Sequence, residues 1–293
     1  MRLLFCTLKH HSMGILGKNT IEQWIVPHLS KGKRGFSSTV PVSEIVLAIF
    51  YRLKTGCQWR QLPTKEFFSD KILSWNTVFY HFNRWSKDGS WRTVWIELLK
   101  ANRHCLNLSS LELDGSHTPV KRGGQAVGYQ GRKACKTTNS LFFCDNQGIM
   151  ISMATPQEGQ HNDLFQIQVL FEQLCLILKE ADISIEGLLL NADPGFDSEN
   201  LKQECDKSNI VANIKPNMRN ISKQKDEPYE SGKYIFDEEL YKQRYVIERA
   251  NAWIDSLKAL LIRFEFTIRN WMSLHYMAFT AIFLRKIIKN SKV

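Results

Sequence analysis

Residues 240–264 limit the fold more than any other stretch. Their apolar side chains Val246, Ile247, Ala250, Ile254, Leu257 and Leu261 recur at the helical period, while Tyr241, Arg244, Glu248 and Asp255 share a different stripe. At about 100° per residue, spacings of three, four and seven keep such a set on one face. The pattern predicts one amphipathic helix over 240–264, packed by its apolar side and presenting an arginine–glutamate stripe from the other. By itself an Arg–Glu pair four residues apart is an ordinary solvated pair, worth roughly 0.3 kcal/mol. Two aspartates upstream give it more weight. Asp114 closes the strand-like run 110–114, and Asp193 closes the apolar run 188–193.

The chain has 293 residues, enough for one large domain or two ordinary ones with a substantial core. Lys and Arg outnumber Asp and Glu by 39 to 29, a net charge of +10, which points to a polyanionic partner such as nucleic acid. Seven dispersed cysteines without a CxxC pair read as small buried hydrophobes of a reducing compartment, not as a disulfide framework or zinc site. The first residues carry too short an apolar run for a signal peptide, and no stretch approaches the roughly 18 apolar residues of a membrane span. A cytoplasmic, nucleoid-associated protein with no membrane partner is expected.

Helical periodicity over 42–54 stops at Gly56, and further helices are expected over 74–87 and 91–102. The second of these buries Trp75, Val78, Phe79, Phe82 and Trp85 and shows Arg84 and Lys87 on a polar face without an acid. Three short helices with an aromatic core fit a helix-turn-helix-like module, and equally a plain bundle used for packing or dimerisation. The basic run 31–35 reads as a linker or a DNA-touching arm.

After residue 108 the character changes. A strand ending in Asp114 leads into residues 117–139, which contain Lys121, Arg122, Arg132, Lys133 and Lys136, four glycines and no acid. A flexible cationic loop of this kind suits a phosphate backbone, although a solvated surface loop has the same composition. A hairpin over 140–154, a helix opening at Asn162 or Asp163, a strand over 188–193, a helix capped by Ser198, a strand over 210–214, a polar loop over 216–233 and a last helix over 267–288 complete the chain. That order describes an α/β mixed sheet with helices on both faces. The right-handed crossover rule puts the strands ending in Asp114 and Asp193 near each other in its centre.

Asp114, Asp193 and Glu248 cannot stay ionised together unaided, because like charges a few ångströms apart raise one another's pKa. Two divalent cations resolve that conflict, and oxygen-rich ligation without histidine favours Mg²⁺ or Mn²⁺. Such a pair serves in-line phosphoryl displacement, with no serine, cysteine or histidine nucleophile needed. Glu112 reads as a neighbour of Asp114, Asp145 as a turn residue, Asp197 and Ser198 as helix caps, and His161 as structural.

The chain resembles bacterial insertion-sequence transposases of the DDE type, over nearly its whole length. The likeness is carried by Leu53-Lys-Thr-Gly-Cys-Gln-Trp-Arg-Gln-Leu-Pro63, by Trp75-Asn-Thr-Val-Phe-Tyr-His-Phe-Asn-Arg-Trp85, by Leu113-Asp-Gly-Ser116 and by Asn191-Ala-Asp-Pro-Gly-Phe-Asp-Ser198. The signature Y-x2-R-x3-E-x6-K is matched by Tyr241, Arg244 and Glu248, with Asp255 in place of the lysine. The resemblance implies a ribonuclease-H-like catalytic domain over 106–293, preceded by a small all-α DNA-binding domain over 1–105. It implies Asp114, Asp193 and Glu248 as catalytic metal ligands for two ions, and Tyr241 and Arg244 as contacts to the element's end. Lys258, about one turn beyond Asp255, is the substitute for the missing lysine. The implied partners are the element's terminal inverted repeats, target DNA and a second copy of the chain, since synapsis brings two ends together. A relative that binds DNA without cutting it, and a ribonuclease-H-like nuclease of another nucleic acid, are the competing readings.

Overall fold

The computed structural model describes residues 16–32, 40–69, 71–217 and 236–290. The run 31–35 and the loop 216–233 fall largely outside them. Two compact units emerge, one formed by residues 1–98 with 254–293 and the other by 99–253.

The first unit is helical. Its helices are α1 (Lys18–Trp24), α2 (Val42–Thr55), α3 (Trp75–Lys87), α4 (Ser90–Asn102, which runs on into the second unit), α9 (Lys258–Leu261) and α10 (Ile268–Asn290). Local signals explain the boundaries. Gly56 ends α2 in the left-handed region at φ 66°, its N–H donating to the Arg52 carbonyl at 2.8 Å. A Cβ there would lie 3.0 Å from the Lys258 backbone, so glycine is required twice over. Ser74 caps α3, its side chain accepting from the Thr77 N–H. Trp85, Trp91 and Trp95 are fully buried; Trp95 packs edge-on against Phe279 and Phe283 of α10 at 5.6 and 5.9 Å. The last helix is thus part of this aromatic core, a placement its own amphipathicity does not reveal.

Buried basic groups, including Arg52, Arg263 and His275, lie among these rings. Arg52 pairs with Glu265 at 2.8 Å, both side chains over nine-tenths buried, and its guanidinium lies 5.1 Å from the Trp59 ring. His275 donates from Nδ1 to the Trp271 carbonyl at 3.0 Å, and burial pulls its pKa from 6.5 down to about 4. The unfolded chain therefore takes up this proton near pH 6.5, while the folded one refuses it until about pH 4. Stability is lost as pH falls through that window, by up to about 3 kcal/mol from this group. Urea denaturation at pH 7 and pH 4.5 should show a smaller pH-dependent loss in His275→Gln than in the parent; equal losses would refute the assignment.

The second unit is built on a seven-stranded mixed sheet, with the path β2–β3–β1–β6–β7 and with β4 and β5 paired to β3. The strands are β1 (Leu111–Pro119), β2 (Gly128–Gln130), β3 (Cys135–Asp145), β4 (Met150–Met153), β5 (Gln157–Glu158), β6 (Leu189–Ala192) and β7 (Val211–Ile214). β1 runs antiparallel to β3 and parallel to β6, which is parallel to β7. Helices α5 (Ile167–Glu180), α6 (Glu199–Lys207), α7 (Glu238–Lys242) and α8 (Tyr245–Asp255) accompany it. On one face Phe143 meets Phe171 of α5 at 5.7 Å. On the other, Asn191 donates to the Leu240 carbonyl of α7 at 3.2 Å, so helices lie on both faces. This is an α/β arrangement of a mixed sheet with helices on both faces.

Four expectations need correction. Asp114 does not close its strand, because β1 stays paired with β3 for five further residues, to Pro119. Residues 240–264 form three helices. At 243–247 the backbone switches to bonds three residues apart, Arg244 N to Tyr241 O and Ile247 N to Arg244 O, and Leu257 is extended before α9. Residues 117–139 are not one loop: 117–119, 128–130 and 135–139 are strand, because β1 pairs with β3 as far as Pro119 and Thr137 and β2 pairs with β3. Lys121, Arg122, Arg132 and Lys133 lie in the connections. Thr137, Thr138, Asn139 and Ser140 are buried but polar, which hides the strand from a hydropathy pattern. Helix α5 opens at Ile167, after a left-handed Gln166, and not at Asn162 or Asp163. Of the six cysteines among the described residues, Cys144, Cys175 and Cys205 are buried, whereas Cys57, Cys105 and Cys135 are half-buried; all six are free thiols.

Candidate active site

The pairing of β1 with β6 ends at Leu113 and Ala192, and the next residues are Asp114 and Asp193. Adjacent parallel strands lie about 4.8 Å apart, so this register brings the two aspartates side by side where β6 ends and β1 runs on without it toward Pro119. Sheets of this kind commonly place ligands at such ends. Each acid has its own backbone partner. Asp193 Oδ1 accepts from the Gly195 N–H at 2.7 Å, closing the turn that follows β6. Asp114 is held by the Gly115 N–H. Burial pushes the Asp114 carboxyl up to about 7. The Gly115 N–H and Arg244 oppose that rise, and the charges of Asp193 and Asp163 add to it.

Arg244 sits between α7 and α8, close enough to act electrostatically on both Asp114 and the buried Glu112. Its guanidinium pairs with Glu248 at 3.3 Å and lies 5.9 Å from the Tyr241 ring. Glu248 is two-thirds exposed. Among the described residues no three His, Cys, Asp or Glu side chains are gathered closely enough to hold a metal. The two aspartates are therefore neighbours, while Glu248 is engaged by arginine one face-step away. Asn251, one turn beyond Glu248, reaches Asp114 instead, its Nδ2 donating to Oδ2 at 3.1 Å.

A buried polar ladder crosses the sheet beneath. Ser110 and Asn191 donate to Glu112 Oε1 at 2.7 and 3.1 Å, and Asn213 donates to Asn191 Oδ1 at 2.8 Å. Asn191 and Asn213 also donate to the carbonyls of Leu240 and Asp237, fastening α7 to the strands. Glu112 is wholly buried in this ladder, and burial raises its pKa. It is a structural neighbour of Asp114, as its sequence position suggests.

Behind β1, a Cβ at Gly115 would overlap the Asp163 carboxylate, which accepts from Asn139 Nδ2 at 2.7 Å and lies 4.0 Å from His117 Nε2. Asp163 and Asn251 are the two site neighbours that sequence reasoning passed over. Asn251 was findable, being three residues from Glu248 on the same helical face. Asp163 reaches the site only through a loop, and no periodicity marks it.

The cationic residues divide between the units. Lys121, Arg122, Arg132 and Lys136 are exposed around β1–β3, and Lys133 donates to the His117 carbonyl at 2.6 Å. Arg84 and Lys258 belong to the first unit. Arg84 donates to the Ser30 carbonyl at 3.1 Å and lies 5.5 Å from the Trp85 ring, and Lys258 is exposed at the start of α9. Asp145 holds the β3–β4 turn by accepting from Asn107, Gln147 and Ile149 N–H groups, and His161 stacks on Phe165 at 3.6 Å. Asp197 pairs with Lys202 at 2.6 Å, and Ser198 caps α6. No helix among the described residues is long and apolar enough to cross a membrane.

No curated protein matches the chain. Among solved structures it is similar to a Mos1 transposase paired-end complex with left transposon end, at 12% identity and TM-score 0.27, covering 78% of this chain and 82% of that one. A piggyBac transposase synaptic complex with hairpin DNA aligns at 12% identity and TM-score 0.39, over 96% and 81%. Residues 20–95 match the model for transposases of the IS4/5 family, and residues 109–284, from just before β1 to the body of α10, match the transposase DDE domain. With that domain model spanning more than half of its length, the chain belongs to the DDE transposases.

Proposed function

We propose that this transposase cuts the ends of its own insertion element in a metal-dependent reaction and joins the freed 3′-hydroxyls to target DNA. The observation that carries the reading is the β1–β6 register, which sets Asp114 beside Asp193 with mutually unfavourable charges. The family uses divalent metal. Hard, acceptor-only oxygens, with the Asp114 pKa lifted by burial and further by the Asp193 charge, suit Mg²⁺ or Mn²⁺, and two ions, with Asp114, Asp193 and Glu248 as ligands, are our assignment. When bound, such ions supply electrostatic stabilisation to the attacking and leaving oxygens of an in-line displacement.

The chain's own residues supply position. The Gly195 and Gly115 N–H groups orient the two aspartates, and the ladder of Glu112, Asn191 and Asn213 fixes α7, which carries Tyr241. Arg244 keeps Glu248 near the site and offers a guanidinium to a phosphate. We assign Tyr241 and Arg244 to the terminal phosphates, and Lys121, Arg122, Arg132, Lys133, Lys136, Arg84 and Lys258 to the DNA backbone. We assign 1–105 as the DNA-binding part and 106–293 as the catalytic part, the last helices serving structurally in the helical unit. A homodimer or larger synaptic assembly on nucleoid DNA completes the proposal.

The test uses the full chain and the DNA flanking its gene, searched for short inverted repeats bordered by a direct duplication. Mg²⁺-dependent nicking at a repeat boundary is expected. Cleavage of an RNA–DNA hybrid or branched junction with repeat ends left intact would sink the proposal. One observation favours a second reading, a relative that binds ends without cutting: Asp255 occupies the lysine position of the signature. Specific binding of repeat DNA with no nicking in Mg²⁺ or Mn²⁺ is its outcome.

A further inference from the structure

Asp114 has a side-chain partner that the three-acid signature does not contain. Asn251 lies on α8, three residues beyond Glu248 and on the same face, and its amide donates to Asp114 Oδ2 at 3.1 Å. The helix bringing it there is fixed from outside the site. Asn146 donates to Gln243 Oε1 at 2.7 Å just before α8, and Arg249 of α8 donates to the Gln147 carbonyl at 3.3 Å. Gly148 of the same turn sits under α8, where a Cβ would come within 3.2 Å of the Val246 carbonyl. The β3–β4 turn thus clamps α8 so that Asn251 meets Asp114 on β1.

From this geometry we infer that Asn251 is a positioning residue: it pins one oxygen of Asp114 and turns the other toward a divalent cation. The inference rests on the reading of Asp114 as a metal ligand. A free aspartate rotates about its last torsion, whereas a carboxylate with Oδ2 engaged presents Oδ1 along one direction. Amide is the suitable chemistry. It donates without carrying charge, so it neither neutralises the carboxylate nor repels a cation, as guanidinium or ammonium would at this distance. It also does not titrate, so the donor itself is the same at any working pH. Outer partners of metal ligands commonly contribute ten- to hundredfold in metal affinity. Glu248 gains as well, because a helix anchored at Asn251 keeps it about one turn away, where Arg244 now holds it.

The experiment measures Mn²⁺ binding by isothermal titration calorimetry on the full chain without DNA. It compares the parent with Asn251→Ala, Asn251→Gln and Asp114→Asn, alongside thermal unfolding in chelator and affinity for repeat-end DNA. Asn251→Ala should weaken Mn²⁺ binding about ten- to hundredfold, with the unfolding midpoint and the DNA affinity close to the parent's. Asn251→Gln, which keeps the donor, should lie between the two. Parent-like Mn²⁺ binding in Asn251→Ala, with binding lost in Asp114→Asn, would overturn the role of Asn251 alone. Parent-like binding in Asp114→Asn would bring down the ligand reading of Asp114 and this inference with it. A loss of DNA affinity matching the loss of Mn²⁺ affinity would make Asn251 a DNA contact and also overturn it.

Discussion

Asp114→Asn should lower cleavage of element ends by about 10³-fold or more while leaving their binding within a few-fold of the parent. The substitution keeps the shape of the side chain, and an amide oxygen at position 114 can still accept from Asn251. What disappears is a charge in a buried site beside Asp193, where a fixed charge acts far more strongly than in water. DNA affinity rests on a different term, the neutralisation of phosphates by Lys and Arg. The folded protein should not lose stability, because burial and the neighbouring Asp193 and Asp163 already oppose ionisation of Asp114. Cleavage at the parental rate, or binding lost with cleavage, would refute the role. A lowered unfolding midpoint would recast Asp114 as structural.

Arg52→Ala should destabilise the helical unit by about 3–5 kcal/mol, the usual cost of stranding one member of a buried ion pair. Both partners are almost wholly enclosed, so the carboxylate left behind stays out of water. The loss should appear as an earlier urea transition in tryptophan fluorescence, because most tryptophans lie in this unit. Replacing both partners by leucine should recover most of it, as apolar side chains of similar volume often match a buried pair. A single variant within about 1 kcal/mol of the parent, below the range for such sites, would show that the pair is solvated in solution.

The two predictions differ in how far the sequence alone supports them. Asp193 was legible as an acid that follows a strand and Asp114 as an acid on one, although β1 runs on past it, and the crossover rule puts their strands together. The Arg52–Glu265 pair was not legible at all, because nothing local links a residue of α2 to one just ahead of α10. The same contrast holds along the chain. α2, α3 and α6 begin and end where their periodicity and caps put them, since Gly56, Ser74 and Ser198 act on their own neighbours. The division of 240–264 was hidden, because its apolar stripe runs on through the breaks.

By itself, then, the sequence determined the helices with strong caps, the strands with apolar runs, the two central aspartates and the transposase signature around Arg244 and Glu248. Each of these is written in residues a few positions apart, whose propensities and side-chain spacings act locally. Tertiary structure alone decided that residues 254–293 join the first helices, that polar Thr137–Ser140 complete a strand, and that Asn251 and Asp163 flank Asp114. Those outcomes depend on contacts between segments distant in the chain, where burial and hydrogen-bond satisfaction across the fold outweigh local preference.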